Sequence, residues 1–488
     1  MLCVVIKGPT LEEVYQQLEK AVVHADLVEL RLDYFQTLNR EALRLLRSHF
    51  SIPMIFTLRS QNQGGNYTGS EEARLSEIRR LIELKPEYLD LEKDVSSLLI
   101  TEILSRSAET KLILSYHDFI GTPDDLDNIY QEMKKIPAFF YKIATTAKNC
   151  LDALRLMCWK QKLDDKLIAI SKGVHGQISR ILGPIIQSPI TYAALDEEKK
   201  TASGQLLVDE ILERYHHRVI NSHTAIYGLI GDPVDQSISD KTHNHLMAAC
   251  GFEAVYVKIQ VLPSELKDFF YYVRQLPFQG LSVTMPLKER VLPFLDEIDS
   301  QARDIGAVNT LHFVDGKICG YNTDGLGALN AIESECPVKG KKVVIIGAGG
   351  ASKAIAFEAH KRGGGVTILN RDEKKAALIA NHLHCIGKSL DEISSCFEAG
   401  YDILINSTPS CLPISPNYIL SQSIVMDIKT KPKETEFLKQ AKAKNCIIIH
   451  GYRMFIEQAV GQFHFWFANK FDIKNGRRIL QEVSCFFL

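Results

Sequence analysis

Three features of the sequence predict an α/β protein with an N-terminal (β/α)8 barrel and a C-terminal region built on further parallel sheets. Apolar, β-rich runs alternate with helix-like stretches along roughly residues 1–215. A later strand-like run passes into a helix through the glycine-rich turn at residues 347–350. The length of 488 residues is enough for about two to four domains.

The composition is that of an ordinary globular protein, with 45% hydrophobic and 24% charged residues. A net charge of -2 and a pI of about 6.7 argue against a nucleic-acid or membrane-surface partner. The eleven cysteines are scattered and contain no CxxC pair, which favours reduced thiols over a disulfide framework or a zinc site. No stretch is long and apolar enough to predict a membrane span. We therefore expect a cytoplasmic protein that acts on small molecules and holds no metal.

The β-rich runs of the first part are Leu2–Lys7, Leu27–Leu32, Pro53–Leu58, Tyr88–Glu92, Lys111–Tyr116, Phe139–Ala144, Leu167–Ser171 and Ile190–Leu195. The helix-like stretches between them include Leu11–Val23, Arg40–Arg47, Ser70–Leu84, Pro123–Lys135 and Cys150–Lys162. This number of alternations is the one that closes a (β/α)8 barrel. Such a barrel carries its chemistry at the carboxyl ends of its strands, so polar residues there are candidate site residues.

Lys142 stands near the end of the sixth run, within the apolar and aromatic stretch at residues 139–146. A lysine is rarely buried without a partner or a task. A neutral amine at this place can attack a ketone and form a Schiff base. The alternative is a lysine that extends its ammonium group from the strand end into solvent.

Further polar side chains cluster at the strand ends, and they are Glu29, Arg31, Asp33, Arg59, His117, Asp118, Lys172, Ser179, Arg180, Thr201 and Gln205. A histidine beside an amine suits proton transfer at an imine, because its ordinary pKa lies near neutral pH. Several arginines at the same end of the barrel indicate a carboxylate substrate, since the two parallel N–H donors of a guanidinium match the two oxygens of that group. Each arginine alone could be a surface ion pair, and His117 alone could be a core histidine. Their common position at strand ends favours a site.

An ordered set of segments in this part resembles the motifs of type I 3-dehydroquinate dehydratase, namely VELRLD (28–33), FTLR (56–59), SYHDF (115–119), YKIATT (141–146) and SKGVHGQISR (171–180). The resemblance covers roughly residues 1–215 and implies dehydration of 3-dehydroquinate to 3-dehydroshikimate without metal or diffusible cofactor. It implies Lys142 as the Schiff-base lysine, His117 as the general acid–base and Glu29 as the residue that orients this histidine. It also implies a set of substrate-binding residues, Arg31, Arg59, Arg180, Thr201 and Gln205. The last loop of the family usually reads Ser-Ala-Pro-Gly-Gln, whereas residues 201–205 read Thr-Ala-Ser-Gly-Gln.

The junction between the two parts is short. A closing helix is predicted over Asp209–Val219, followed by a polar link at residues 221–223. The barrel is therefore placed at residues 1–219, and the next strand is expected to begin near Ala225. A link of a few residues leaves the two parts limited freedom.

The second part begins with predicted strands over Ala225–Gly231, Ala254–Val261 and Leu281–Thr284. Ser237 and Ser239 lie on the loop after the first strand, where they could bind a small anion or cap a helix. Lys288 follows the third strand, and Asp324 lies in the segment YNTDG. A lysine and an aspartate brought together can manage the proton that a ketone oxygen takes up on reduction. A surface salt bridge is the alternative.

The cofactor signal is the strand-like run at residues 341–346, which leads into Gly347-Ala348-Gly349-Gly350-Ala351-Ser352. A strand, a glycine turn and a helix start of this kind bind a dinucleotide pyrophosphate in a Rossmann-type domain. The next strand, Gly365–Leu369, ends in Asn370-Arg371, where an acidic residue would bind the ribose of NAD. Arg371, with Lys374 and Lys375 nearby, favours the 2'-phosphate of NADP instead. Further strands at Asp402–Asn406, Ile424–Ile428 and Cys446–His450 extend a parallel sheet, and a helix over Phe455–Trp466 follows.

This part resembles shikimate dehydrogenase over about residues 224–488, through SIS (237–239), SVTMPLKE (282–289), GAVNT (306–310), GYNTDG (320–325), GAGGAS (347–352), INSTP (405–409) and GYRMFIEQAVGQF (451–463). The resemblance implies Lys288 and Asp324 as the catalytic pair. It implies shikimate-binding residues Ser237, Ser239, Thr284, Asn309 and Gln458. It implies NADP(H)-binding residues Gly347, Ala348, Gly349, Gly350, Ala351, Asn370, Arg371, Lys375 and Gly451. Asp240 replaces the family's usual proline, and Thr430 stands where the family often has a tyrosine.

The two resemblances imply three domains and two consecutive steps. The domains are a barrel at residues 1–219, a substrate-binding domain at 224–327 with the C-terminal helices at 455–488, and a Rossmann NADP domain at 328–454. The product implied for the barrel is the ketone that the second part would reduce to shikimate, within aromatic amino acid biosynthesis. The alternatives are a non-catalytic regulator that binds quinate or shikimate, a quinate dehydrogenase that uses NAD, and an aldolase-like Schiff-base barrel. The oligomeric state is not predicted.

Overall fold

The computed structural model describes residues 1–163 and 166–487. The chain divides into two compact units, of which the first contains residues 1–224, 259–261 and 268–277 and the second contains the rest. The first unit thus extends to Thr224, whereas the barrel was predicted to end at residue 219. No helix within the described ranges is long and apolar enough to cross a membrane.

The first unit is built on a parallel sheet with the strand order β7-β6-β5-β4-β3-β2-β1-β8, which is that of a (β/α)8 barrel. Its strands are β1 Leu2–Ile6, β2 Leu27–Arg31, β3 Met54–Thr57, β4 Tyr88–Glu92, β5 Lys111–His117, β6 Phe140–Thr146, β7 Leu167–Lys172 and β8 Thr191–Ala194. Its helices are α1 Leu11–Ala21, α2 Arg40–His49, α3 Glu71–Leu81, α4 Ser97–Ser105, α5 Leu126–Lys134, α6 Cys150–Lys160 and α7 Gln177–Ile181. The predicted α/β class and the barrel strands are confirmed.

The interior of the barrel has an apolar layer and a charged layer. The apolar layer contains buried residues of the barrel interior, namely Cys3, Leu27, Ile55, Tyr88, Ile113, Phe140, Ile168 and Ile190. Four further members of the same apolar cluster, Val5, Ala144, Ile170 and Tyr192, reach the level of the charged residues. Because alternate residues of a strand share a face, Asp90, Ser115 and Lys142 follow two residues after apolar members of this layer. The charged layer therefore lies toward the carboxyl ends of the strands.

The segment that closes the first unit differs from the prediction. The sequence predicted one helix over Asp209–Val219, whereas the structure has a π-helix at Glu210–Arg214 and a 3-10 turn at His217–Val219. His216 separates them with a left-handed φ of 51°. A continuous α-helix cannot pass through that conformation, so the prediction of a single helix was wrong.

The second unit begins with a mixed sheet of strand order β10-β9-β11-β13-β14-β12. Its strands are β9 Ala225–Gly231, β10 Ala254–Gln260, β11 Phe278–Val283, β12 Glu297–Ile298, β13 Thr310–Val314 and β14 Lys317–Tyr321. Its helices are α8 Ser239–Ala249, α10 Ser300–Ile305 and α11 Asp324–Glu333. Helix α9 Leu266–Val273 begins in the second unit, and its residues from 268 onward belong to the first. The antiparallel pair β13–β14 was not predicted. Its turn residues, Asp315 and Gly316, both have positive φ, as a two-residue hairpin turn requires.

A parallel sheet follows with the strand order β17-β16-β15-β18-β19-β20. This is the 3-2-1-4-5-6 order of dinucleotide-binding folds, in which the ligand lies outside the carboxyl end of the first strand. The strands are β15 Lys342–Ile346, β16 Gly365–Asn370, β17 Ile386–Ser389, β18 Ile403–Asn406, β19 Ile424–Asp427 and β20 Ile447–Ile449. The helices are α12 Gly350–Lys361, α13 Glu373–Leu383, α14 Ile393–Ala399, α15 Glu436–Ala443, α16 Gly451–Phe467 and α17 Ile473–Phe487. The Rossmann-type prediction is confirmed, whereas α16 begins at Gly451 rather than at the predicted Phe455.

Two candidate active sites

A cavity of about 80 Å³ lies at the carboxyl ends of the barrel strands. The catalytic and substrate-binding residues implied for the barrel line it, and they are Glu29, Arg31, Arg59, His117, Lys142, Arg180, Thr201 and Gln205. Asp33, Asp118 and Ser179, also candidates at strand ends, are not among its lining residues. Lys172, Phe119 and Tyr192 line it as well. The strands thus bring together side chains that are far apart in the sequence.

Lys142 is buried on β6, with 6% of its surface exposed. Its Nζ donates a hydrogen bond to Asp90 Oδ2 at 3.1 Å and lies 3.8 Å from Glu29 Oε1. The same nitrogen lies 4.3 Å from the centre of the Tyr192 ring. Burial would raise the pKa of the Asp90 carboxyl, but the Arg59 and Lys142 cations hold it below its ordinary value. The amine therefore faces a carboxylate on one side and an aromatic ring on another.

His117 lies at the end of β5, and its Nδ1 is 3.1 Å from an Nη1 of Arg59. Because a guanidinium can only donate, Nδ1 accepts this hydrogen bond, and the single proton of a neutral imidazole then lies on Nε2. Burial lowers the pKa of His117 well below its ordinary value, and the Arg59 and Lys142 charges lower it further. The imidazole is therefore neutral near pH 7. Among the described residues, Arg59 rather than Glu29 is at hydrogen-bond distance from His117. The predicted role of Glu29 in orienting this histidine therefore stays a prediction.

Glu29 instead accepts a hydrogen bond from Thr57 Oγ1 at 2.8 Å. The arginines differ in their pairing. Arg31 donates to both carboxylate oxygens of Asp33, at 2.9 and 2.8 Å. Arg180 is 5% exposed, and its Nε has no hydrogen-bond partner in the described structure. Burial lowers the pKa of Arg180 to about 10.

Gln205 and Thr201 lie on the loop after β8. The Oε1 of Gln205 accepts a hydrogen bond from the backbone N–H of Thr201 at 2.9 Å.

Asp90 and Glu92, which bind Arg59, were missing from the predicted site. Their alternation with Tyr88 on β4 is the sequence signal that could have identified them as inward-facing residues.

A second cavity, of about 320 Å³, lies in the second unit. The predicted residues that line it are Ser237, Ser239, Thr284, Lys288, Asn309, Asp324, Ala351, Gly451 and Gln458. Further lining residues that the sequence analysis did not place in the site are His243, Tyr256, Ser282, Thr430 and Gln462. This cavity joins the predicted catalytic pair to the start of α12.

Lys288 and Asp324 form a close ion pair, with the Lys288 Nζ 2.5 Å from Asp324 Oδ2. Asp324 begins α11, where a helix N-terminus favours a negative charge. Its other oxygen accepts a hydrogen bond from Asn309 Nδ2 at 2.9 Å. Asn309 Nδ2 also lies 3.4 Å from Gln458 Oε1. The lysine is therefore held by a carboxylate that is itself fixed by an amide.

Two further polar groups face this cavity. Ser237 and Ser239 are linked through their hydroxyl oxygens at 2.8 Å, so at least one hydroxyl can donate to a ligand. Behind them, the Tyr256 hydroxyl donates to Ser282 Oγ at 2.8 Å, and Ser282 donates to Gln462 Oε1 at 2.9 Å. This chain of hydrogen bonds was not anticipated, because its members lie on separate elements.

The glycine turn between β15 and α12 fits a dinucleotide. Gly347 has a φ of +119°, and a Cβ there would lie 2.5 Å from Ser407 Oγ. A Cβ on Gly349 would meet no atom within 4 Å, so the turn has open space beside the N-terminus of α12. Ser352 accepts a hydrogen bond from the Gly349 N–H at 3.1 Å. The serine in the third glycine position therefore supports the turn.

The end of β16 carries the groups predicted to select the cofactor. Asn370 donates from its side-chain amide to the carbonyl of Asp372 at 2.9 Å. Arg371 and Lys375 are exposed. At the start of α16, a Cβ on Gly451 would lie 2.3 Å from the Lys429 carbonyl oxygen, which explains a glycine at this close approach. Within the described residues, no group of acidic, histidine and cysteine side chains could hold a metal ion.

Family models match three stretches of the chain. Type I 3-dehydroquinase matches residues 2–222, the shikimate dehydrogenase substrate binding domain matches 229–311, and shikimate / quinate 5-dehydrogenase matches 330–439. A solved shikimate dehydrogenase of Aquifex aeolicus is 33% identical, with a TM-score of 0.50 over 54% of this chain and 99% of that chain. A solved shikimate dehydrogenase in complex with NADP+ is 38% identical, with a TM-score of 0.50 over 54% of this chain and 96% of that chain.

Relatives span nearly the whole chain. The shikimate biosynthesis protein AroDE of Chlamydia pneumoniae is 37% identical over 96% of both chains. The bifunctional 3-dehydroquinate dehydratase/shikimate dehydrogenase of Arabidopsis thaliana is 33% identical over 96% of this chain and 82% of its own. With both cavities and both sets of family matches in one polypeptide, the chain belongs to the family of bifunctional 3-dehydroquinate dehydratase/shikimate dehydrogenase enzymes.

Proposed function

We propose that the chain catalyses two consecutive steps of the shikimate pathway, the dehydration of 3-dehydroquinate and the NADPH-dependent reduction of 3-dehydroshikimate to shikimate. The observation that carries this proposal is the presence of two chemically different cavities, one around a buried amine and one around a lysine–aspartate pair. The domains proposed for the chain are those predicted from the sequence, and the three family matches support them.

In the barrel, the Lys142 amine attacks the ketone carbon of 3-dehydroquinate, and the carbonyl oxygen leaves as water. The resulting protonated imine acidifies the adjacent carbon. His117 takes the proton of that carbon on Nδ1, whose lone pair is released from Arg59 when substrate binds. The hydroxyl group one carbon further leaves as a second water molecule, with a proton that His117 returns. Hydrolysis of the imine then consumes one water molecule and releases 3-dehydroshikimate. Arg180 is the guanidinium best placed to bind the substrate carboxylate, because its Nε is unpaired.

In the second unit, bound NADPH supplies the hydride. Lys288 donates a proton to the ketone oxygen, and Asp324 orients and stabilises the Lys288 ammonium group. Ser237, Ser239 and Asn309 bind the hydroxyl and carboxylate groups of the substrate. The turn at residues 347–351 holds the pyrophosphate at the N-terminus of α12.

Trapping with borohydride tests the first step. Purified protein is incubated with 3-dehydroquinate and sodium borohydride, digested, and mapped by mass spectrometry. We expect a reduced covalent adduct on Lys142. Because Lys172 is a second buried amine in the same cavity, an adduct on Lys172, or undiminished turnover by a Lys142→Met variant, would contradict the proposed mechanism.

Separate assays test the two steps in one preparation. The enone absorbance reports dehydration, and NADPH oxidation with added 3-dehydroshikimate reports reduction. We expect Lys288→Met to lower the reduction rate by at least about a hundredfold and to leave dehydration unchanged. Lys317→Met is the matched control, since Lys317 forms an exposed pair with Glu297. Equal loss in both variants would argue against a role for Lys288.

We also propose a cytoplasmic location, supported by the free thiols of the described cysteines, which are typical of reducing compartments. Immunoblotting of cell fractions tests this location.

A further inference from the structure

The barrel cavity contains more positive charge than its carboxylates match. Three of its cations form ion pairs with buried carboxylates, and these pairs are Arg31–Asp33, Arg59–Asp90, Arg59–Glu92, Lys142–Asp90 and Lys142–Glu29. Lys172 and Arg180 also line the cavity but make no ion pair with a carboxylate among the described residues. An unpaired buried charge is costly unless a ligand satisfies it. The arrangement therefore leaves two cations available for an anion.

Lys172 is the last residue of β7, and 9% of its surface is exposed. Its Nζ has no hydrogen-bond partner in the described structure. This nitrogen lies 3.5 Å from the centre of the Phe119 ring, and Phe119 stacks on His117 with 6.2 Å between ring centres. A cation–π contact orients an ammonium group without using its hydrogen-bond donors. The donors of Lys172 thus remain free beside the acid–base histidine.

The strand register places Lys172 above Lys142 in the barrel. Lys142 pairs with Ile168 of β7, whereas Lys172 pairs with Thr146 of β6, closer to the carboxyl ends. A substrate bound covalently to Lys142 would therefore extend toward Lys172. Burial lowers the pKa of Lys172 to about 8, and the charge of Arg180 contributes to this lowering. An anion between the two cations would relieve their mutual repulsion.

We propose that Lys172 is a substrate-binding residue of the dehydratase site, whose ammonium group joins the Arg180 guanidinium in holding the substrate carboxylate. This inference rests on the proposed dehydratase function. It adds a second cation to the carboxylate site implied by the family resemblance.

The test compares steady-state kinetics of the full-length wild type, Lys172→Met and Lys172→Arg with 3-dehydroquinate. We expect Lys172→Met to raise KM about tenfold, equivalent to about 1.4 kcal/mol, with a smaller change in kcat. Lys172→Arg should recover most of the affinity because it keeps the charge. Lys20→Met, which removes an exposed charge from α1, is the control. Shikimate dehydrogenase activity and thermal unfolding of each variant establish that the chain is folded.

The pH dependence gives a second readout that requires no destabilising variant. The charged groups around Lys172 are Asp118 after β5, Arg180 on α7 and Arg59 after β3, and the neutral His117 on β5 is the other titratable group. As pH rises through about 8, Lys172 loses its proton, and the wild-type KM should rise. Lys172→Arg should shift this rise to higher pH, since a guanidinium keeps its charge there.

The outcomes separate the inference from the function on which it rests. A wild type that does not convert 3-dehydroquinate overturns both. An active wild type whose KM equals that of folded Lys172→Met, or whose KM shows the same pH dependence as Lys172→Arg, overturns the role of Lys172 alone. A KM increase in Lys172→Met that Lys172→Arg reverses supports it.

Discussion

Lys142 and Asp90 form a buried ion pair inside the barrel, with 3.1 Å between the Lys142 Nζ and Asp90 Oδ2. Their side chains are 7% and 0% exposed. The other oxygen of Asp90 accepts hydrogen bonds from Arg59 and from Ser115, each at 2.7 Å. A single carboxylate thus stabilises two buried cations, and one of them, Lys142, acts as the proposed nucleophile after its ammonium group releases a proton.

Asp90→Asn should destabilise the first unit and lower dehydratase activity. The substitution removes the charge that compensates Arg59 and Lys142, and breaking a buried ion pair from one side costs about 3 kcal/mol. Urea unfolding followed by circular dichroism measures the change, with shikimate dehydrogenase activity reporting the second unit separately. Glu132→Gln, which breaks an exposed pair with Lys135, should leave the transition unchanged. A transition for Asp90→Asn that coincides with that of the wild type would show that Asp90 is not needed for this compensation.

Acid should destabilise the first unit partly through His217. Burial lowers the pKa of His217 to about 4 from its ordinary value of 6.5, and the nearby N-terminal amine lowers it further. The unfolded chain therefore takes up a proton before the folded chain does, and stability falls as the pH drops from about 6.5 to 4, by at most about 1.4 kcal/mol per pH unit.

His217→Gln should flatten this pH dependence, measured as the urea midpoint between pH 7 and pH 4. The exposed His223 provides the control variant His223→Gln, which should follow the wild-type curve. Parallel curves for wild type and His217→Gln would assign the acid sensitivity to other groups.

Arg371→Gln should weaken the preference for NADPH. Arg371 is exposed at the end of β16, where it can bind a 2'-phosphate but has no such partner in NADH. We expect the KM for NADPH to rise about tenfold while the KM for NADH stays unchanged. Lys439→Gln on α15 is a charge-matched control at an exposed position. If both cofactors were affected equally, Arg371 would not be the selecting residue, and the NAD-dependent alternative would gain support.

Gly451→Ala should destabilise the second unit by about 1–3 kcal/mol, because the added methyl group cannot be accommodated without moving α16. A Cβ at this position would lie 2.3 Å from the Lys429 carbonyl oxygen and 2.5 Å from that of Ile428. Gly365→Ala is the comparison, since a Cβ there would have its nearest neighbour at 3.8 Å. Thermal unfolding of the two variants measures the difference. Equal melting temperatures would mean that α16 adjusts freely.

The strands of both parallel sheets except β17 could be predicted because their apolar runs are short and bounded by turn residues. β17 was missed because Ile386–Ser389 contains a single large apolar residue. The hairpin β13–β14 was missed because its residues were interpreted as motifs, and His312 and Lys317 interrupt the apolar pattern. The closing segment was predicted as a plain helix because nothing in its composition marks His216 as left-handed. Local conformations of this kind depend on tertiary contacts, which the spacing of apolar residues in the sequence does not reveal.

The lining of both cavities was largely predictable because barrel and Rossmann folds place chemistry at strand ends. Asp90 was missed because its alternation with Tyr88 and Glu92 on β4 marks an inward-facing residue but does not identify the cations that it binds. The partner of His117 was also not apparent, since Arg59 follows β3, which is separated from β5 by β4. Pairings between buried charges follow from three-dimensional distances rather than from residue type.

The layered interior of the barrel separates the positions where substitutions affect stability from those where they affect catalysis. On β6, Phe140 belongs to the apolar layer, and Lys142, two residues later, reaches the cavity. The residue that packs in the core and the residue that reacts therefore lie at different positions along the same strand. Conservative exchanges at the deeper level, such as Ile113→Val or Ile168→Val, should therefore change the melting temperature of this half more than its turnover.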